Sequence, residues 1–505
     1  MDEKTLGALK ITAGAAGLGI AGDMLLRETP WGLNVLIWTV ALVAGMVLFC
    51  SRGSEVRSRS RLWLLVPILL AAGGFVWRES VVLKSLDAAA LVVALGIAAM
   101  GWPAGKTPFA GTAVYVRGIA RMVVDAVYSS VPLYVRDIEW TQLRQGRKFD
   151  WLAPLLRGLA IAVPMVILFG ALFMSADAVF QRLVSSAFHV DPEKSGSHLF
   201  FIVVCAWLAG GFLRSIATPE PAAAGESKPL FPLGITEIGI ALGMLNLLFL
   251  CFVIIQIRYL FGGDRLVQVT AHLTYADYSR RGFFELVAVA ALMLPVLLHA
   301  HTLLSPRTPS NSRIFAALTG VNILLLFVII GSAVHRMRLY QAAYGLTELR
   351  FYTTAFMFWL AVIFVWFAAT VLTGRRSRFT IGAMVTGLAA IAALHAVNPD
   401  AYIVRANVSR LAQGKTFDAS YAAGLSEDAI PELVSALPKL PLDKQTVVAD
   451  ILEQRMPSSI GRDWRSWTWS HSRARSSLRR NEAALRAERE TPPAPVQTAS
   501  VPAGT

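Results

Sequence analysis

Long apolar runs separated by short polar loops dominate the first 400 residues of the chain. A helix needs about 20 mostly apolar residues to cross the hydrocarbon core of a bilayer. Eleven stretches meet or approach that length: 6–22, 31–50, 62–77, 87–102, 152–174, 199–213, 234–257, 283–300, 314–335, 352–373 and 380–397. Only helices satisfy their own backbone in lipid at this length. The pattern therefore predicts an all-α, polytopic transmembrane helix bundle of about 11 spans.

Composition excludes the alternative of several soluble domains. Charged residues make up 16% of the chain and hydrophobic residues 55%, whereas an average soluble protein carries about 25% charged residues. The first span is the weakest of the eleven because it is rich in glycine. We expect its small residues to let a neighbouring helix approach closely.

Loop charge predicts the orientation of the bundle. Loop 51–61 carries four Arg and one Glu, and loop 374–379 carries three Arg. Eight spans separate these loops, so both lie on one side, which the positive-inside rule makes cytoplasmic. The N-terminus is then cytoplasmic, and an odd number of spans places the C-terminus outside the cytoplasm. The net charge of +14 fits orientation and contact with anionic lipid, and no nucleic-acid partner is expected.

The same pattern divides the chain into five parts. Residues 1–102 hold four transmembrane helices, and residues 103–150 form a cytoplasmic segment whose stretch 112–135 is predicted as an interfacial amphipathic helix. Residues 151–397 hold about seven further spans. Residues 398–490 are predicted as a helical extramembrane region that includes a Trp- and Arg-rich stretch at 461–480, interpreted as an amphipathic helix on lipid headgroups. The Pro/Ala-rich tail 491–505 is predicted to be disordered.

A few polar side chains fall inside the predicted spans, where they face the bundle interior or water. They are Glu237, Asn246, Gln256 and Asn322, with His395 in the last span and Arg157 near the start of the fifth. The favoured interpretation of the amides is interhelical hydrogen bonding, and an ion pathway is the alternative. Positions 237, 246 and 256 do not line one face of a helix, which weakens the pathway interpretation.

A second polar set lies in loops that the span count places outside the cytoplasm. Arginine is unusual there, so these residues form the candidate ligand or partner face: Asp177, Arg258, Tyr259, Tyr275, Tyr278, Arg280, Arg281, Glu285, Arg336, Arg338, Tyr340, Tyr344, Glu348 and Arg350. Residues 336, 340, 344, 348 and 352 would form one stripe unless Gly345 ends the helix. The favoured role of the arginines is a structural ion-pair network. The alternative is binding of an anionic headgroup, glycan or phosphate.

These polar segments also resemble a bacterial family of multi-pass membrane proteins known as domain of unknown function 4173, which is related to family 4153. The matching segments are SADAVF at 175–180, QIRYLFGG at 256–263, YADYSRRGFFEL at 275–286 and RLYQAAYGLTELR at 338–350, with Glu237 and the Asn246 region, and a weaker match at 428–431. The resemblance covers most of residues 150–400. It implies a bacterial cytoplasmic (inner) membrane location and no established activity.

Three functions stay open on this basis. The favoured hypothesis is a non-enzymatic cell-envelope protein whose external Arg/Tyr-rich face binds an anionic lipid, a glycan or a membrane partner protein. A secondary transporter and a membrane enzyme acting on a lipid-linked substrate are the alternatives. The sequence contains no HExxH, Walker or GxSxG motif, and we expect no cofactor, no metal and no catalytic residue.

Overall fold

The computed structural model describes residues 2–50, 62–104, 111–140, 192–218, 233–261, 283–305, 308–459, 463–483 and 485–486, and four single positions between 158 and 173. The chain divides into two compact units. The first comprises Met1–Ala224 with Gly461–Ser472, and the second comprises Gly225–Ile460 with Arg473–Thr505.

Six long α-helices of the described residues build most of the first unit. They are α1 (Glu3–Leu26), α2 (Leu33–Cys50), α3 (Leu65–Trp77), α4 (Val81–Ala104), α5 (Thr112–Tyr128) and α6 (Pro192–Ala217). Glycines of α1 allow the close approach to α6 that the sequence predicts: a Cβ on Gly19 would lie 2.5 Å from the Ile202 carbonyl oxygen, and one on Gly22 would lie 2.8 Å from Cys205 Sγ.

Helix α5 lies inside the predicted amphipathic stretch 112–135. It buries Tyr115 and Met122 and leaves Arg117 and Arg121 exposed. The chain continues helically through Ser130–Pro132 and Leu133–Asp137. A helix is therefore present within this stretch, and its interfacial position stays a prediction.

Five long apolar helices build the membrane part of the second unit. They are α7 (Ile235–Phe261), α8 (Phe283–Leu303), α9 (Pro309–Tyr344), α10 (Glu348–Thr370) and α11 (Arg376–Val397). Helix α9 has 36 residues, or about 54 Å at 1.5 Å per residue, which exceeds a hydrocarbon core of about 30 Å. Part of α9 must therefore project beyond the hydrocarbon.

A C-terminal helical region (residues 398–459 and 473–486) completes the second unit. Its helices are α12 (Pro399–Ser409), α13 (Ala419–Gly424), α14 (Ile430–Ala436), α15 (Leu442–Ser459) and the second part of α16 (Trp469–Arg480). Asn398, Asp418 and Ser426 begin successive elements by accepting backbone N–H bonds, as N-cap residues do. The helices share a core that includes Val404, Leu433 and Val448.

The described residues confirm an all-α polytopic bundle. Within that part of the chain, eight helices are long and apolar enough to cross a membrane, and two shorter apolar helices cover Leu33–Phe49 and Leu65–Trp77. Ten of the eleven predicted spans coincide with these helices. The fifth, 152–174, and the tail 491–505 lie outside the described residues, apart from four single positions.

Candidate functional site

Asn246 and Asn322 form one buried polar pair between α7 and α9. Asn322 Nδ2 donates to Asn246 Oδ1 at 2.9 Å, and Asn246 Nδ2 donates to the Leu318 carbonyl oxygen at 2.9 Å. This is the interhelical hydrogen bonding that the sequence analysis favoured. Asn322 is fully buried, so the pair connects the two helices within the bundle.

Gln256 forms a second polar group between the same helices. Its Oε1 accepts a bond from Arg336 Nη2 at 2.8 Å and one from Ser332 Oγ at 3.1 Å. The buried Leu326 and Ile329 lie between this group and Asn322 along α9. Asn322 and Ser332 are about 15 Å apart along the helix. The two polar groups are thus separate, which argues against a continuous polar path along this helix pair.

Arg350 is held by aromatic rings and a backbone carbonyl. Its Cζ lies 4.0 Å from the ring centre of Tyr340 and 6.0 Å from that of Tyr344, within the range of cation–π attraction. Arg350 Nη1 donates to the Gly345 carbonyl oxygen at 2.6 Å. The structure thus brings Tyr340, Tyr344 and Arg350 together at the end of α9.

The predicted helical stripe from 336 to 352 is interrupted. Helix α9 ends at Tyr344, and Gly345 has φ of +83°, a conformation that favours glycine. At 100° per residue, Arg338 lies on the opposite side of α9 from Tyr340, and it is exposed. The turn at Gly345 therefore separates Glu348 and Arg350 from the helical stripe of α9, and Arg338 lies on another side of that helix.

Several residues of the candidate face stand apart or outside the description. Glu285 is exposed in the first turn of α8, and Glu237 is exposed in the first turn of α7. Arg258 and Tyr259 lie in α7, but their side chains are outside the described residues, as are all of Asp177, Tyr275, Tyr278, Arg280 and Arg281. Their place in a ligand face stays a prediction.

The turn between α9 and α10 is bound to the C-terminal helical region, and we call this contact the junction. Leu346 exchanges two hydrogen bonds of 2.8 Å with the Asn407 side chain, one through its N–H and one through its carbonyl oxygen. The Glu348 N–H donates to Tyr421 Oη at 2.8 Å. Arg410 Nη2 donates to the carbonyl oxygens of Ala342 and Ala343 at 2.9 and 3.0 Å. Side chains thereby satisfy the carbonyls that the end of α9 leaves open.

Three carboxyl groups meet beneath the junction. Ser426 Oγ donates to Asp400 Oδ2 and lies 3.3 Å from Asp428 Oδ2. Burial raises the pKa of Asp400 to about 6, and the negative charges of Glu348 and Asp428 act in the same direction. Glu348 was predicted as part of the helical stripe with Arg336 and Tyr340, and its negative charge acts on Asp400. The weak motif match at 428–431 and the strong one at 338–350 thus converge here.

The C-terminal helical region also contains a cleft of about 700 Å³ between α12 and α14. Arg405, Lys439 and Glu432 line its polar side, and Val408, Leu411, Ala436, Leu440 and Pro441 contribute apolar surface. Arg405 forms a bidentate pair with Glu432, with N···O distances of 2.8 and 3.2 Å. These hydrogen bonds lower the pKa of Glu432.

The first unit contains ion pairs that were not predicted from the sequence, and two groups of them centre on Asp23 and Asp137. His198 Nδ1 lies 2.7 Å from Asp23 Oδ2, and Arg27 Nη1 lies 3.7 Å from Asp23 Oδ1. Asp137 accepts from Arg214 Nε at 2.5 Å, and Lys4 Nζ lies 3.4 Å from its other oxygen. Apart from the i, i+4 pair of Asp23 and Arg27, the partners are distant in sequence, so no local spacing indicates them.

The Trp- and Arg-rich stretch is not a single amphipathic helix as predicted. Trp464 begins a short 3-10 helix, and α16 begins only at Trp469. Arg465 Nη2 bonds Asp463 at 2.6 Å and Glu28 at 3.1 Å, and the Trp467 carbonyl oxygen accepts from the Leu33 N–H at 3.1 Å. Part of the stretch therefore packs against the ends of α1 and α2.

The apolar helices and the polar C-terminal region define the class of the molecule, a polytopic helical membrane protein. The family described as a domain of unknown function, DUF4153, matches residues 65–436, and the chain belongs to this family. The predicted relation to family 4153 is thereby confirmed, and the likeness to family 4173 stays a prediction. No curated protein and no solved structure has a significant match to the chain.

Proposed function

We propose that the protein is a non-catalytic envelope protein of the bacterial cytoplasmic membrane that binds an anionic, partly apolar ligand. The ligand site is the cleft of the C-terminal helical region, and the predicted topology places that region outside the cytoplasm. The observation that carries the proposal is the combination of basic side chains with an apolar wall in a cleft of about 700 Å³, a volume within the usual range of ligand sites.

The charges of the cleft favour an anion. Arg405 uses two of its five N–H donors on Glu432, so three remain for a ligand. Lys439 lines the same cleft and is exposed. Two cations against one carboxylate give the lining a net positive charge, and Arg offers the planar geometry that phosphate and carboxylate groups fit.

The apolar wall favours a lipid over a glycan. Leu411, Leu440 and Pro441 supply surface that the hydroxyl groups of a sugar would not match, whereas an anionic phospholipid carries both a phosphate and an apolar part. In this proposal Arg350 and its tyrosines hold the turn between α9 and α10, and they do not contact the ligand. The separated polar groups of α7 and α9 make transport the weaker hypothesis.

Lys439→Gln tests the proposal. The full chain in neutral detergent is titrated with dihexanoyl phosphatidylglycerol, with dihexanoyl phosphatidylcholine and with a uronic-acid oligosaccharide, and binding is followed by microscale thermophoresis. We expect phosphatidylglycerol to bind best. The variant should weaken its binding by about tenfold, since a hydrogen bond between charged groups contributes about 1.5–3 kcal/mol.

The matched control is Lys444→Gln, which removes a partly exposed lysine of the same region that does not line the cleft and should leave the affinity unchanged. Equal binding of the two phospholipids, or an equal loss in both variants, would contradict the proposal. Preferential binding of the oligosaccharide would contradict the choice of a lipid.

A further inference from the structure

The Ser426 hydroxyl lies between two carboxylates at the junction. Ser426 Oγ donates to Asp400 Oδ2, stands 3.3 Å from Asp428 Oδ2, and accepts the Asp428 N–H at 3.3 Å. A hydroxyl has one proton and donates to one carboxylate at a time. When both aspartates are ionised, one of the two oxygen–oxygen contacts therefore has no proton. One added proton would complete the chain of hydrogen bonds.

The Asp400 carboxylate is the group whose charge a bound proton would neutralise most favourably. Asp400 has no exposed surface, and its Oδ1 has no hydrogen-bond partner among the described residues. The charged side chains that act on Asp400 from the packed elements are Glu348 of α10 and Asp428 before α14, both acidic. A buried carboxylate without a compensating cation is strongly unfavourable.

Asp400 is also placed to affect the attachment of the C-terminal helical region. It lies in the first turn of α12. Asn407 of this helix forms hydrogen bonds with Leu346, and Arg410, the residue directly after the helix, donates to carbonyl oxygens at the end of α9. Tyr421 accepts the Glu348 N–H. Burial raises the pKa of the Tyr421 phenol, the negative charges of Glu348 and Asp400 act in the same direction, and the Arg350 charge acts against them. The Tyr421 bond thus lies within reach of the Asp400 charge, and the Asn407 and Arg410 bonds depend on the position of the helix that Asp400 begins.

We propose that Asp400, Ser426 and Asp428 form a proton-binding site, and that uptake of one proton by the Asp400 carboxylate as the pH falls strengthens the junction. The proton comes from water, forms an O–H bond on Asp400, and breaks no other covalent bond. Above this pH range the ionised cluster repels Glu348 and weakens the attachment of the turn. The inference does not depend on the ligand proposed for the cleft.

The size of the effect follows from two pKa values. The pKa of Asp400 is about 6 in the folded chain, against 3.8 for an ordinary aspartate. If opening of the junction exposes Asp400 to water, the opening equilibrium should become about tenfold more favourable between about pH 5 and about pH 7.5.

Hydrogen exchange measures this opening directly. The exchange rate of a peptide covering residues 345–349 is followed by mass spectrometry in the full chain at the two pH values and corrected for the intrinsic pH dependence of amide exchange. We expect the corrected rate of the wild type to rise about tenfold with pH. The Asp400→Asn variant cannot ionise and should show no such rise. The Asp443→Asn control, at an exposed carboxylate of α15, should behave as the wild type.

Ser426→Ala supplies a second test that does not rely on the folding of the Asp400 variant. The Ser426 hydrogen bond lowers the pKa of Asp400, so its loss should move the pH midpoint of opening upward. Mere loosening of the structure would raise exchange at both pH values without moving the midpoint. A wild-type rate that does not change with pH, or an Asp400→Asn variant that keeps the full dependence, would overturn the proposal.

Discussion

Each unit buries aspartates, and Asp137 of the first and Asp400 of the second have opposite surroundings. In the first unit, Asp137 is 6% exposed and has Arg214 at 2.5 Å and Lys4 at 3.4 Å. In the second, Asp400 has no exposed surface, and the groups that surround it are a serine hydroxyl and two further carboxyl groups. Burial is therefore nearly the same, and the difference lies in charge compensation.

The comparison shows that burial alone does not define the role of a carboxylate. A compensated carboxylate connects elements as long as its partners remain, and removal of one partner leaves an unpaired buried charge. An uncompensated carboxylate instead shifts toward its neutral form. On this reasoning Asp137 is a structural link between α1, α6 and the segment after α5, and Asp400 is the group that responds to pH.

The largest expected effect is at Asp137. Asp137→Asn leaves Arg214 without its carboxylate partner, and the Arg214 side chain is only 17% exposed. We expect a loss of about 3 kcal/mol in the free energy of unfolding, measured by SDS titration of the full chain in mixed micelles. A change below about 0.5 kcal/mol would show that Arg214 finds another partner and would remove the contrast with Asp400.

Asp400→Asn should act in the opposite direction and less strongly. The folded pKa of Asp400 is raised to about 6 from 3.8, so its stabilising contribution is complete below about pH 4 and is lost as the pH rises through about 6. The neutral variant lacks this loss. It should be more stable than the wild type by about 2 kcal/mol near pH 7.5 and equal to it near pH 4, in the same SDS titration. Destabilisation at both pH values would contradict this expectation.

Lys4→Gln should have the smallest effect and would show which of the two cations compensates the charge of Asp137. The Lys4 side chain is 53% exposed, and its nitrogen lies 3.4 Å from Asp137. Solvent screens such a pair, so we expect a loss of about 0.5 kcal/mol. A loss close to that of Asp137→Asn would assign the compensation of Asp137 to Lys4 instead of Arg214.

Elements set by local pattern were predictable. The apolar runs indicated ten helices of the bundle, Gly345 was recognised as a possible end of α9, and the amides Asn246 and Asn322 were interpreted as interhelical hydrogen-bond partners. Each of these follows from hydropathy, from backbone conformation or from the high free energy of an unpaired amide in lipid. The order of residues contains that information.

The candidate site was predictable only in part. Residues 340, 344 and 350 do meet, but through a turn and a stacked guanidinium instead of a helical stripe with Glu348. Arg338 lies elsewhere on α9, and the sequence analysis never singled out Asp400, Asn407 and Tyr421. The DAIP motif at 428–431 was the available signal, and spacing could not show that it lies beside residue 348.

By itself the sequence determined that the protein lies in a lipid bilayer, that its fold is helical and approximately where its helices begin and end. These properties depend on neighbours within one or two helical turns, on hydropathy and on the conformational limits of glycine and proline. Only the tertiary structure decided which buried charges are compensated, because Asp137 and Arg214 or Asp400 and Glu348 meet only when distant helices pack. Electrostatic free energy depends on separation in space and on burial, and chain order specifies neither.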